Sequence, residues 1–211
     1  MGSLFAAPLV VVLSGGAVGE NLGVFRLALV ASVGWAVFLA ALALVSRRSG
    51  SGRFATDFSL SIRPVDAAAV PLGVAGQLLL VPAVYVPLRA VWPDVFDPTR
   101  ISERAEELVG GATGVEIVLL VAVVAIGAPL IEELVYRGLL QRSAAERFGR
   151  GVGVVGVSLL FALIHLSPVE YPGLFVAGLL FGGCTALTGR LGPAVLAHAA
   201  FNATGVYTVL T

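Results

Sequence analysis

The sequence predicts an all-α protein, a polytopic transmembrane helical bundle of about seven spans, with six to eight compatible with its pattern. Three observations carry this reading. Of 211 residues, 58% are hydrophobic and only 12% charged, against about 25% charged in a soluble globular domain. Mean hydropathy is +0.98. The apolar residues fall in long runs separated by short polar loops, the pattern of repeated membrane crossing.

Charge and cysteine usage exclude several classes. Basic and acidic residues balance at thirteen each, and every basic one is Arg. A net charge of zero argues against a nucleic-acid partner. A single cysteine, Cys184, excludes an intramolecular disulfide and a multi-cysteine metal site. It sits in an apolar run and reads as a small packed residue. The first residues lack the basic stretch of a secretory signal, and position six lacks the Ser or Thr of a myristoylation signal. The first apolar stretch is therefore expected to stay as a membrane segment. With no internal repeat and no soluble module, residues 1–211 are expected to form a single integral membrane domain.

The spans follow in order. The first, 4–18, is short and interrupted by glycine. The second (24–45) and third (67–90) are each long enough to cross about 30 Å of hydrocarbon. The loop between them holds Arg47, Arg48, Arg53 and Arg63. The loop 91–114 is acidic, with a short amphipathic helix expected at 102–108, where Ser102 caps a first turn rich in carboxylates. The fourth span runs from 115 to 141 and is followed by Arg142, Arg147 and Arg150. The fifth (152–166) and sixth (173–188) are short, as suits helices packed inside a bundle. Gly178 and Gly182 on the sixth are a small-xxx-small pair for close helix contact. Arg190 precedes the seventh span, 192–210. Arginine-rich loops thus alternate with acidic or neutral ones, which places the former, and the N-terminus, in the cytoplasm of a cell-membrane protein. Asn202-Ala203-Thr204 matches a glycosylation sequon, but it falls inside the last span.

The fourth span contains the stretch that needs explaining. Glu132, Glu133 and Arg137 interrupt it, at about 2.5–3.5 kcal/mol each near the bilayer centre, so about 7–10 in all. The eleven Val, Leu and Ile residues between 115 and 131 return at best about 6 kcal/mol. These charges therefore face protein or a wet cavity, pair together, or lie near one surface. Glu133 and Arg137 are i,i+4 neighbours suited to a structural ion pair. Glu132 lies about 100° round the helix and is left over. Pro129 frees a backbone carbonyl and favours a kink just before the carboxylates.

Two further spans carry polar insertions. The fifth ends in Phe161-Ala-Leu-Ile-His165, and the seventh contains His198-Ala-Ala-Phe-Asn202, with His198 and Asn202 on one face. At 1.5 Å per residue from the cytoplasmic ends, Glu132 lies about 14 Å deep, His165 about 20 Å, His198 about 9 Å and Asn202 about 15 Å. The three helices bring their polar groups to one layer.

Glu-Glu-x-x-x-Arg, Phe-x-x-x-His and His-x-x-x-Asn, in that order on separate spans, resemble the CAAX-protease and bacteriocin-processing (CPBP) family of intramembrane endopeptidases. These are similar to the type II CAAX prenyl endopeptidase. The resemblance covers about 115–211, which is the expected catalytic core. It implies a metal-independent glutamate protease in which Glu132 and His165 activate water, His198 and Asn202 stabilise the oxyanion, and Glu133 and Arg137 support the site. It implies no cofactor, and as partners a peptide or protein substrate, lipid-modified or membrane-bound forms included, together with the bilayer. Two other readings stay open at this level. The same Glu and His residues are plausible zinc ligands, although no His-Glu-x-x-His is present. A polar cluster inside a membrane also suits a transport path or a non-catalytic interaction protein.

Overall fold

The computed structural model describes residues 23–99 and 112–211. Among the described residues all regular structure is helical. The elements are α1 (Val24–Ser49), α2 (Phe54–Asp57), α3 (Pro64–Val91), α4 (Val115–Phe148), α5 (Arg150–Leu163), α6 (Tyr171–Thr188) and α7 (Gly192–Leu210). Helices α1, α3, α4 and α6 are long and apolar enough to cross a membrane, and α5 is a shorter apolar helix. Six long helices thus correspond to the second through seventh expected spans. The first expected span, 4–18, and the short helix at 102–108 lie outside the described residues.

The surface of α1 shows why this is a membrane fold. Phe25, Leu29, Val33 and Val37 are all exposed, and their spacing of four places them on one face. The opposite face, Val24, Leu27 and Ala31, packs on Leu120, Val123 and Val124 of α4 and Val206 of α7. Apolar side chains on both faces suit a helix that contacts protein on one side and lipid on the other. Arg47 and Arg48 occupy its last turn, where cations complement the helix dipole.

Helix α4 is longer than expected. The sequence places Arg142 and Arg147 in a loop, whereas the helix continues through Phe148 and only Gly149 separates it from α5. Gly149 has φ +92°, a left-handed conformation that favours glycine, and it folds α5 directly back on α4. Hydropathy marks where a helix leaves lipid, not where it stops, so this polar extension was missed.

Both α3 and α4 contain wide π turns ahead of an interior proline. The turns are Gly76–Leu80 before Pro82, and Ala122–Gly127 before Pro129. In α4 the Ala128 N–H bonds back five residues to the Val123 carbonyl. Pro129 has no N–H to continue that register, so the next carbonyl, Val124, is released from the helix ladder.

Close approaches hold the bundle around α7. A Cβ at Gly73 of α3 would overlap the Ala197 carbonyl oxygen of α7. One at Gly178 of α6 would lie 3.0 Å from the Ser158 Cβ of α5, the close contact expected of the small-residue pair. At the arginine-rich end, Arg190 forms an ion pair with buried Asp66. The backbone N–H groups of Leu191 and Gly192 donate to the carbonyls of Ser59 and Ser61.

Candidate active site

The structure joins Glu133, Arg137 and His198 by hydrogen bonds and sets Glu132 3.7 Å from His198, while Asn202 and His165 are each held by a backbone carbonyl beside them. Glu132, Glu133, Arg137, His165, His198 and Asn202 are all buried. They lie in a layer where α4, α6 and α7 meet the end of α5.

Glu133 is the centre of the group. Its Oε1 accepts from Arg137 Nη1 at 3.1 Å and lies 2.8 Å from His198 Nδ1. The ion pair expected along α4 is therefore present, and it also reaches α7. A carboxylate paired with Arg is an acceptor only, so Nδ1 carries the hydrogen in that contact. His198 Nε2 then faces Glu132, with 3.7 Å to its Oε2. That oxygen is buried and accepts no hydrogen bond.

Arg137 is held in a cage. Its guanidinium carbon lies 4.8 Å from the Phe161 ring centroid, 5.6 Å from Phe181 and 5.8 Å from Tyr136. Its Nη2 donates to the Gly178 carbonyl at 2.9 Å. Aromatic faces and a carbonyl replace the water that a buried guanidinium loses. One turn further along α4, Gln141 Nε2 donates to the Gly182 carbonyl at 3.0 Å.

Asn202 is fixed by the proline effect. Its Nδ2 donates to the released Val124 carbonyl at 2.9 Å. An amide nitrogen carries two hydrogens, so one remains for another acceptor.

His165 is not on a helix. The fifth span was expected to run through 166, but α5 ends at Leu163 and His165 sits in the turn that follows. Its Nδ1 lies 2.6 Å from the Phe161 carbonyl. The next residue, Leu166, has φ +53°, a strained state for a branched side chain that costs about 1–3 kcal/mol. Pro168 biases the residue before it away from helix, and this was a legible signal for an early stop. Phe161 joins the two histidines, with ring centroids 4.9 Å from His165 and 5.9 Å from His198.

Sequence reasoning missed Phe181, whose ring stacks on His198 at 4.3 Å and 14°. A phenylalanine in an apolar helix carries no signal of such a role. The Gly178 and Gly182 carbonyls were missed for the same reason. Ser158 donates to the Val154 carbonyl of its own helix, so its hydroxyl is turned away from chemistry with His165. Among the described residues, no three His, Cys, Asp or Glu side chains are placed to hold one metal ion.

Comparison with known proteins gives one positive result. The family model of the Rce1-like type II CAAX prenyl endopeptidases matches residues 114–204. No curated protein and no solved structure matches the chain. The matched segment begins at the foot of α4, ends within α7 and carries all six buried polar residues, in the motif order that suggested the resemblance. Over residues 114–204 this membrane protein is therefore similar to the Rce1-like type II CAAX prenyl endopeptidases.

Proposed function

We propose that the protein is an intramembrane endopeptidase of the CAAX type that hydrolyses a peptide bond with water activated by side chains. The observation that carries this is the buried chain from Arg137 through Glu133 and His198 to Glu132, which holds an unpaired carboxylate oxygen at the meeting point of three helices. The family match supports endopeptidase activity independently of that geometry.

In this reading Glu132, with His165, takes a proton from a water that adds to the scissile carbonyl. The tetrahedral oxyanion accepts hydrogen bonds from the second Asn202 N–H and from His198 Nε2. Because Nδ1–H is committed to Glu133, donation from Nε2 requires the imidazolium form of His198. The proton is then handed to the leaving amine as the C–N bond breaks. Glu133 and Arg137 orient His198 and do not touch the substrate. Oxyanion donors of this kind are worth about 10²–10³ in kcat each.

No cofactor enters this mechanism, since the chemistry is assigned to carboxylate, imidazole and amide groups. The substrate is a peptide or protein, with lipid-modified and membrane-bound forms as the first to test. Residues 1–211 act as one membrane domain, with the catalytic core at about 115–211. The arginine-rich end faces the cytoplasm of a cell membrane by the positive-inside rule.

The decisive experiment reconstitutes purified protein in lipid and follows cleavage of matched farnesylated and unmodified peptides. Wild type should cleave, and Glu132→Gln should not while melting normally. Activity that survives Glu132→Gln would overturn the mechanism. Activity that chelators abolish and zinc restores would move it to the metal-assisted class.

A further inference from the structure

The turn that carries His165 runs from the end of α5 at Leu163 to the start of α6 at Tyr171. Its first half is tied back to α5: the N–H groups of Ile164, His165 and Leu166 donate to the carbonyls of Leu160, Ala162 and Leu163. Its second half leads into α6, with the Glu170 N–H on the Ser167 carbonyl and the Tyr171 N–H on that of Pro168. Leu166, between the two halves, has φ +53°. Strained backbone of this kind persists only where the surrounding structure over-determines it.

Part of that constraint comes from α3. Tyr85 is buried, and its hydroxyl donates to the Val169 carbonyl at 2.8 Å. The same hydroxyl accepts from the Gly173 N–H at 3.4 Å. Val169 and Gly173 are four residues apart, the pair that a first helical turn would join directly. The next rung, from the Leu174 N–H to the Glu170 carbonyl, is intact at 2.9 Å. The phenol thus stands in for the first rung of α6. It satisfies one carbonyl and one of the N–H groups that a helix start leaves without partners. Gly173 makes room for it, since a Cβ there would lie 3.1 Å from both Cε2 and the hydroxyl oxygen of Tyr85. Phe96 packs on the same ring, with centroids 5.8 Å apart.

We infer that Tyr85 is a positioning residue for His165: its hydroxyl, set between Val169 and Gly173, fixes the turn that presents the histidine. This role rests on the part proposed for His165 in activating water. Without the hydroxyl, the Val169 carbonyl and the Gly173 N–H must close on each other or stay unsatisfied. Either outcome releases the turn from α3 and lets Leu166 relax, which moves His165. Displacement of a catalytic group by about 1 Å can cost on the order of 10² in rate. Tyr85 lies outside the matched residues 114–204, so that segment alone lacks this hold.

The test uses the full chain in detergent with its histidine rings labelled with nitrogen-15 for NMR. The chain has two histidines, and a His165→Gln variant assigns their signals. Tyr85→Phe keeps the ring and removes the hydroxyl. It should shift or broaden the His165 signals and leave those of His198, which Glu133 holds, in place. On a peptide substrate it should lower kcat by about 10- to 100-fold with little change in KM. An unmoved His165 signal overturns the inference. So does equal movement of both histidines, which marks a general loosening, or an unchanged kcat in protein that cleaves. Wild-type protein that cleaves no peptide overturns the peptidase reading instead, and the NMR comparison still decides what Tyr85 holds. Should Tyr85→Phe fail to fold, Gly173→Ala, which presses on the same ring from α6, takes its place under the same criteria.

Discussion

His198 Nδ1 and Arg137 Nη1 meet at the same oxygen, Glu133 Oε1, at 2.8 and 3.1 Å. One carboxylate therefore fixes a histidine on α7 and a guanidinium on its own helix α4. Glu133 and its sequence neighbour Glu132 each keep a buried Oε2 without a hydrogen bond, but Glu133 Oε1 is engaged by two cationic or donor groups whereas Glu132 Oε2 lies 3.7 Å from His198 Nε2. In the proposed mechanism that difference separates an orienting group from a reacting one.

Glu132→Gln should lower turnover by about 10²–10⁴, the range for loss of a general base, without a large change in melting temperature. The substitution keeps shape and removes the proton acceptor. Peptide cleavage and a thermal melt on the same preparation test both halves.

Arg137→Ala should destabilise by about 3–5 kcal/mol, because it leaves Glu133 buried without its cation. Combining it with Glu133→Gln should recover part of that loss, since the uncompensated charge is then gone. A double variant as unstable as Arg137→Ala alone would show that packing in the aromatic cage, not charge, dominates.

Asn202→Ala has two separable effects. It should reduce kcat by about 10²–10³ with little change in KM. It should also destabilise by about 1–3 kcal/mol, because the Val124 carbonyl is left unsatisfied. Adding Pro129→Ala supplies an N–H to the helix ladder, so the double variant should regain stability and stay inactive. Recovery of activity in the double variant would contradict the oxyanion role.

Gly73→Ala should weaken both stability and activity. The added methyl overlaps the Ala197 carbonyl, and overpacking of this kind costs about 1–3 kcal/mol. Ala197 directly precedes His198, so displacement of α7 moves the histidine from Glu133. A conservative change on the lipid face, such as Leu29→Ile, should do neither.

Asp57 gives a pH prediction outside the membrane. Ser46 Oγ, then the Ser51 N–H and hydroxyl, donate to its carboxylate and lower its pKa from 3.8 to about 2. A carboxyl with a depressed folded value stabilises fully above its unfolded value and loses that contribution as pH falls through the folded one. The melting-temperature difference between wild type and Asp57→Asn should thus be constant above about pH 5 and shrink toward pH 2.

Much of this was legible in the sequence because bilayer energetics are severe. Charged and imidazole groups inside apolar runs had to converge, and Glu132, Glu133, Arg137, His198 and Asn202 do. The ends of α3, α6 and α7 fell within three residues of their expected places. What escaped notice depends on backbone detail that composition does not encode. The π turn before Pro129 was expected only as a kink, although it delivers the Val124 carbonyl to Asn202. His165 was placed on a helix because hydropathy continues through Leu166, whereas the left-handed Leu166 and the nearby Pro168 end α5 earlier. Phe181 looks like any other lipid-span phenylalanine until His198 stacks on it.

The rungs from Arg137 to the Gly178 carbonyl and from Gln141 to the Gly182 carbonyl both join residues 41 apart. They lie one turn apart on each helix, so α4 and α6 run in the same direction there and are locked in register at two points. Sliding one helix along the other breaks both rungs together, and they can re-form only after a full turn of about 5.4 Å. Such a step would carry Glu133 away from His198. For the proposed peptidase, admission of a polypeptide therefore comes from tilting or from displacement of other helices, with α4 and α6 moving as a single piece.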